Sequence, residues 1–545
     1  MRELIKKLGI IIAELRIWLI LVTKFFTSEP VERQPTSGSQ TLLENLRKCF
    51  WSHSADSSSA LDDATWDDLG LDSLYSHLDC NFSNFGASQM YHQLRLGGGG
   101  HVFHQKGPDQ IFTINTAQLR EAFKPVISVE LEAATKVLHK RLPAQTLNIK
   151  VALVQTLLIP VFVCLSVLHW GGLVALIGAL VLNIWTHLKH QHDTTVKLTF
   201  LNAIRGVIIT SSNIKAISFE ANLDDSKFIS EVEKGIMLLR RLRWYNISAK
   251  NIDPVSSIIT DMLDYLFLRA LIFTDRSLSL VTKHASSVAF LAHRLGEIDS
   301  EVSISQYKLN KNCCQPEFCS DNLNYLLFEE VVHPLIAVPV ANSIEMNRQS
   351  ALMTGSNMAG KTTFLRTIAI NVVLAQAFGF CHARRAAISR FKVISSIQVV
   401  DSMSNGNSLF YAELLRLKQL LDFDTGNVTP LYLIDEIFRG TNADDRVALG
   451  SAVLRYLANK GTVFVTTHEL ALATIVGNAF RKFYFGDLVS GNNLRYDFQL
   501  KHGVWESRSA YSLAKSAGFS NEIVDAAYKI RFQSVQNPES VPKFE

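Results

Sequence analysis

Hydrophobic and polar positions divide this chain into stretches of different texture. Over 41–150 and 195–310, apolar residues recur every three or four positions, as in ISEVEKGIMLLRRLRWY at 229–245. That spacing lines one face of a helix, so both stretches are expected to be mainly helical. Between them, from Val151 to Leu188, no Asp, Glu, Lys or Arg occurs in 38 residues. From about 331 the texture changes again. Short runs rich in β-branched residues, SALMTG, VISSIQVV, LYLID, TVFVTTH and KFYFG, alternate with helical stretches. Such alternation predicts a largely parallel sheet in an α/β domain.

The charge-free run exceeds a typical core helix, and a bilayer needs about 20 apolar residues per crossing. HWGG at 169–172 divides it, which predicts a transmembrane helical hairpin over 151–188 that turns at the glycines. Lys136, His139, Lys140, Arg141 and Lys150 precede the run; Lys189, His190 and Lys197 follow it. Basic flanks on both sides place both ends in the cytoplasm. A buried helical pair in a soluble core is the competing reading. Residues 1–40 begin with a basic and apolar segment, read as an amphipathic anchor or as an ordinary packed helix, and end in the polar linker SEPVERQPTSGSQ at 28–40. LGGGGH at 96–101 reads as a flexible loop tip. The expected order is 1–40 anchor and linker, 41–150 first helical part, 151–188 hairpin, 189–330 second helical part, 331–535 α/β domain and 536–545 tail.

Composition changes this picture little. Charged residues make up 19%, and the shortfall is concentrated in the hairpin. A net charge of +4 over 545 residues neither demands nor excludes a polyanionic partner. Seven scattered cysteines, an odd number, disfavour a disulfide scaffold and point to a reducing compartment. NCCQPEFC at 312–319 lacks a histidine at zinc-finger spacing, so reduced structural cysteines are expected there.

The chemistry lies after residue 350. GSNMAGKT at 355–362 matches G-x-x-x-x-G-K-[ST], follows the apolar run ALMT and opens the helical stretch TTFLRTIAINVVLAQAF. Backbone N–H groups turned inward at a helix N-terminus cradle phosphates. Gly355, Ser356, Asn357, Met358, Ala359, Gly360, Lys361, Thr362 and Thr363 are the expected nucleotide contacts, with Lys361 on the β- and γ-phosphates and Thr362 on Mg²⁺. In LYLIDEIFRGTN at 431–442, Asp435 emerges at a strand end where it can hold Mg²⁺ through water, and Glu436 can polarise an attacking water. A helix cap is the plainer reading of that acidic pair. His468, in TVFVTTHE at 462–469, ends a third strand and can sense the γ-phosphate, although a lone histidine is usually structural. In DSMSNGNSLFYAELLRL at 401–417, Ser408 caps a helix whose N-terminus is a second anion site.

Together these segments resemble the MutS-type ATPases of DNA mismatch repair. TGSNMAGKTTFLRT is similar to their phosphate loop, including Asn357 and Met358; GNSLFYAEL to their signature loop; DEIFRGTN to their acidic strand; TTHE to their histidine switch. SAYSLAKSAGFSNEIVDAA at 509–527 resembles their C-terminal helices; more weakly, 66–95 resembles the start of their helical core domain, and 295–309 and 331–336 the segments leading into their ATPase. The resemblance implies a P-loop α/β domain and a head-to-tail homodimer with composite ATP sites. One subunit would supply Gly355, Asn357, Lys361, Thr362, Asp435, Glu436 and His468, and the other Ser408. ATP would close the dimer and hydrolysis release it.

The chain also departs from that pattern. No early Phe-x-Glu wedge occurs, the DNA-gripping clamp has no counterpart, and no aromatic to stack on adenine stands between His333 and Thr354. Two readings of function follow. One is a membrane-tethered MutS-like ATPase that binds double-stranded DNA, with LRRLRWY at 239–245 as a candidate contact or a solvated helix face. The other is a membrane ATPase switch acting on protein or lipid partners, its effector open. An ABC-type transporter ranks behind both, because it needs many more membrane helices.

Overall fold

The computed structural model describes residues 40–53, 60–102, 116–141, 143, 149–220, 226–242, 262–309, 311–320, 324–356, 358–398, 409–423, 426, 428–490, 493–505 and 518–527. The N-terminal segment, the linker at 28–39, Arg243–Tyr245, Asn357, Ser408 and residues 509–517 lie outside them. The chain divides into two compact units: 1–54, 79–90 and 107–305 form one, and 55–78, 91–106 and 306–545 the other.

The first unit is helical. Helices Thr116–Ile127, Leu131–Leu138, Ser226–Leu242 and Arg269–Lys308 and the distal half of Trp170–Glu220 surround a core that includes Phe123, Phe200, Ile204, Val207, Val232, Leu291 and Leu295. Their apolar residues at three- and four-residue spacing produce it. Asp299 is buried in this unit, where its carboxylate accepts from Phe82 N–H and Ser83 N–H at 2.8 Å and from Ser83 Oγ at 2.6 Å, just before the helix Asn84–Gly98.

The charge-free run forms two helices, Ile149–Leu168 and Trp170–Glu220, of 20 and 51 residues. They turn at a single residue, His169, whose Nδ1 accepts the Gly171 N–H at 3.0 Å. The glycines lie inside the second helix, not in the turn. Gly172 permits a close crossing, since a Cβ there would sit 2.3 Å from the Leu165 carbonyl carbon. Both helices are long and apolar enough to cross a bilayer by length and composition, and only 11% and 17% of their apolar windows are buried. At the base, Asn183 Nδ2 donates to Leu266 O at 2.7 Å and Thr156 Oγ1 to Phe267 O at 3.1 Å. Those carbonyls are freed where the backbone breaks at Leu268, φ +48°.

The second unit holds two sheets. The strands are β1 Glu317–Phe318, β2 Tyr325–Val331, β3 Asn342–Asn347, β4 Ser350–Gly355, β5 Arg385–Ile388, β6 Phe391–Ser396, β7 Thr429–Asp435, β8 Thr462–Thr466, β9 Phe480–Ser490 and β10 Asn493–His502. The larger sheet runs β10-β9-β4-β8-β7-β6; its last five members are parallel and β10 is an antiparallel edge. The smaller runs β1-β5-β2-β3. Pairing of β1 and β2 with β5 draws residues from 317 onward into this unit, whose last and longest segment begins at Gln306, ahead of the boundary at 331 expected from texture.

Two early segments also belong here. Asp62 caps the helix Asp63–Asp68, accepting from Thr65 N at 2.6 Å. Asp68 then accepts from Ser395 Oγ at 2.6 Å, Ile397 N at 2.9 Å and Gln398 N at 2.8 Å, which satisfies donors at the end of β6. The glycines at 97–100 are not a flexible tip. All four are buried, and a Cβ at Gly97 would lie 2.7 Å from Ala377 Cβ, so glycine is what lets this backbone meet the helix Lys361–Phe378. Gln376 there donates to both Gly97 O and Phe391 O.

Candidate nucleotide site

β4, β8 and β7 are adjacent and parallel, so their C-terminal ends share one edge of the sheet. Ligands of open α/β sheets bind at such edges. The loop after β4 leads from Gly355, φ +142°, to Gly360, φ +101°, which opens the helix Lys361–Phe378. A side chain at Gly355 would drive into the Phe485 carbonyl, 2.5 Å from its Cβ.

Lys361 is buried, and its Nζ donates to Gly355 O and Ser356 O, each at 2.8 Å. Thr362 Oγ1 donates to Asp435 Oδ2 at 2.8 Å, and the Thr466 hydroxyl at the end of β8 donates to Asp435 Oδ1. Asp435 ends β7. Glu436 follows in the left-handed region, φ +58°, and its N–H donates to Thr466 O at 3.2 Å. A non-glycine residue there costs about 1–2 kcal/mol. The result is that the Glu436 carboxylate faces His468, whose Nε2 lies 2.6 Å from Glu436 Oε1. That hydrogen bond, with the nearby His468, Arg439 and Lys361 charges, holds the Glu436 carboxyl below the ordinary carboxylate range.

Arg439 reaches back to Asp435 Oδ2 at 3.0 Å and Glu436 Oε2 at 3.2 Å. Glu413, buried on the helix Leu409–Leu421, accepts from Arg439 N at 3.1 Å and Gly440 N at 3.4 Å and so holds that loop. Asn442 caps the next helix, Ala443–Lys460, on which Arg446 binds Glu469 at 2.7 Å beside His468.

Lys361, Thr362, Asp435, Glu436 and His468, expected from sequence to act together, are therefore assembled at one edge with Gly355, Ser356, Ala359 and Gly360. Met358, although 72% exposed, and Thr363 both line the neighbouring cavity. Asn357 and Ser408 lie outside the described residues. The donor set fits a hydrated divalent cation: a hydroxyl and a carboxylate oxygen are adjacent, and oxygen ligands suit Mg²⁺. Ser356 Oγ is buried beside them with no partner among the described residues.

A cavity of about 410 Å³ adjoins the loop. Its walls are His333, Ile336, Val338 and Pro339 from the β2–β3 connection, the first turn of the helix Lys361–Phe378, and Phe485 and Phe498. Sequence reasoning missed Phe498. It sits at a bulge in β10 between Tyr496 and Leu500, φ +54°, held by Asn342, which donates to Phe498 O at 3.0 Å and accepts from Leu500 N at 2.7 Å. Residues 333–354 hold no aromatic to stack on a base, and the structure brings one from more than 140 positions later. Burial pushes the His333 imidazole down to about 4, so it lines the cavity uncharged.

Residues 351–534 match the family model of MutS domain V. Over that segment, about a third of the chain, the protein is similar to MutS-type proteins. It is 29% identical over 289 residues to the DNA mismatch repair protein MutS of Methanococcoides burtonii, covering 50% of this chain and 32% of the relative. The MutS protein of Persephonella marina is 31% identical over 263 residues, 45% of this chain and 30% of the relative. The DNA mismatch repair protein MSH3 of Candida glabrata is 27% identical over 274 residues, 47% and 26%. The chain thus spans about a third of the length of the curated relatives it matches. The MutS domain V match begins within β4, so all the assembled polar groups fall inside it.

Proposed function

We propose that this MutS-like protein binds and hydrolyses ATP as a dimeric conformational switch, tethered to a membrane by its hairpin, and acts on double-stranded DNA in the manner its relatives' names imply. The observation that carries the ATPase reading is the convergence of Lys361, Thr362, Asp435, Glu436 and His468 on one strand edge. In this reading Lys361 leaves the loop carbonyls for the β- and γ-phosphates. Thr362 and Asp435 would hold Mg²⁺, which would neutralise phosphate charge. Glu436, its carboxylate ionised, orients the attacking water, and His468 fixes that carboxylate and meets the γ-phosphate. The 410 Å³ cavity receives the base against Phe498 and Val338. Ser408 of a second copy would complete the site. Tethering is supported by the outward-facing apolar belt of Ile149–Leu168 and the start of Trp170–Glu220, with Lys150 and Lys189 at its base.

The test is the ATPase rate of the detergent-solubilised protein with and without duplex DNA, after membrane fractionation. Hydrolysis stimulated by duplex, with DNA binding that weakens steeply as salt rises, is the expected result. DNA-independent hydrolysis without salt-sensitive binding would replace DNA with a protein or lipid partner. No hydrolysis under any condition would refute the ATPase reading.

A further inference from the structure

Cys314 and Cys381 face each other across an isolated antiparallel bridge. Their backbones exchange both hydrogen bonds at 3.0 Å, and their Sγ atoms are 3.5 Å apart. Hydrogen-bonded antiparallel partners have Cα atoms about 5.5 Å apart, within the range a disulfide spans. Both are free thiols, Cys381 buried and Cys314 half-buried. Among the described residues no group of three or more His, Cys, Asp or Glu is placed to hold a metal.

We propose that Cys314 and Cys381 are a peroxide-reactive thiol pair whose disulfide fixes one wall of the nucleotide cavity. Cys314, the less buried of the two, is the attacking sulfur; its contact with Cys381 holds its thiol below the ordinary value, while that contact and burial hold Cys381 up. The Cys314 thiolate attacks one oxygen of hydrogen peroxide, the O–O bond breaks, and a sulfenic acid and hydroxide result. The hydroxide takes the Cys381 proton. The Cys381 thiolate then attacks the sulfenic sulfur, forms the S–S bond and expels hydroxide, which is protonated to water. Two thiols and one peroxide become one disulfide and two waters.

The route to the cavity is short. Cys381 precedes His382, whose N–H donates to Asn371 Oδ1 at 2.7 Å and whose carbonyl accepts from Val332 N at 2.9 Å. Asn371 Nδ2 donates in turn to Val332 O at 3.1 Å. Val331 and His333, on either side of Val332, line the cavity. A covalent link at Cys381 therefore restrains the wall that the base contacts, an effect that rests on the nucleotide reading above, whereas disulfide formation does not.

The experiment treats the full-length, detergent-solubilised protein with hydrogen peroxide, blocks remaining thiols, and maps cross-linked peptides by mass spectrometry. In parallel, release of a fluorescent ATP analogue is timed. The expected result is a Cys314–Cys381 cross-link with release slowed roughly threefold. Both effects should vanish in Cys314→Ser and in Cys381→Ala, whose basal binding stays intact. Cys314 driven to sulfinic acid, or paired with Cys313 or Cys319, overturns the pairing. The cross-link with unchanged release overturns the link to the cavity. Failure of the untreated protein to bind the analogue counts against the nucleotide reading alone.

Discussion

Every side chain of β4 is buried, while Val167 and Trp170 at the tip of the hairpin are 84% and 75% exposed. Both stretches are apolar, and they use that property in opposite ways. β4 spends its hydrophobicity inside the protein, where neighbours β8 and β9 satisfy its backbone and position the loop at its end. The hairpin satisfies its own backbone by helix hydrogen bonds and turns its side chains outward. Helices that do this are stable against hydrocarbon, where no water is needed to satisfy a peptide group. One region builds a polar site from a dry interior; the other turns an apolar surface outward.

That contrast can be broken at four points, taken from the largest effect. Glu436→Gln should slow hydrolysis by roughly 10²–10⁴-fold, the usual contribution of a positioned base, while nucleotide still binds. An undiminished rate would remove Glu436 from the chemistry. Lys361→Ala should weaken nucleotide binding by about 10²-fold in a fluorescence titration, since a buried charge-assisted donor is lost. Unchanged affinity would mean that the lysine only braces the loop carbonyls.

Leu157→Arg, midway along the first hairpin helix, should cost about 3 kcal/mol of insertion and move protein from the carbonate-resistant pellet to the supernatant. If the variant fractionates like the parent, the apolar belt has some other partner.

The smallest effect concerns pH and has opposite signs in the two units. Burial pushes His382 down to about 4, so the unfolded chain takes up a proton near pH 6.5 that the folded one refuses. The sheet unit is then fully stable above pH 6.5 and loses stability as pH falls toward 4. Burial pushes Asp299 up to about 7 against the pull of its Ser83 and Phe82 donors. Folding there favours the protonated acid, so the helical unit is most stable below pH 4 and loses stability as pH rises through 7. Hydrogen exchange resolved by unit, at pH 4.5 and 7.5, should show protection shifting from the helical unit to the sheet unit as pH rises. Parallel changes in both would rule out this assignment, and His382→Gln should reduce the slope of the sheet unit alone, with His333, also pushed down to about 4 by burial, keeping the remainder.

Much of the sheet unit was legible in the sequence because its strands are buried on both faces and end in polar residues. ALMTG, LYLID and TVFVTT each read as a continuous apolar run closed by the group that becomes functional. The hairpin was legible from its lack of charge. Three features escaped. Phe498 reaches the cavity through a bulge, and a bulge leaves no period in the sequence. The glycines at 97–100 carry the usual marks of a loop, yet they pack on Ala377 because absence of a side chain serves close approach as well as freedom. The helix Asp63–Asp68 joins the sheet unit through the Asp68 carboxylate, a tertiary partnership that local pattern does not encode.

The helix Trp170–Glu220 is unbroken for 51 residues, and its distal half packs Phe200, Ile204, Val207 and Ile208 into the helical core. It therefore works as a keyed shaft. Each residue turns an α-helix by about 100°, so the angular setting of the hairpin is locked to that of the core. One alanine inserted near Gln191 would rotate the belt by that angle about the helix axis without altering any residue of either region. Seven inserted residues would restore the setting to within about 20° and lengthen the shaft by roughly 10 Å.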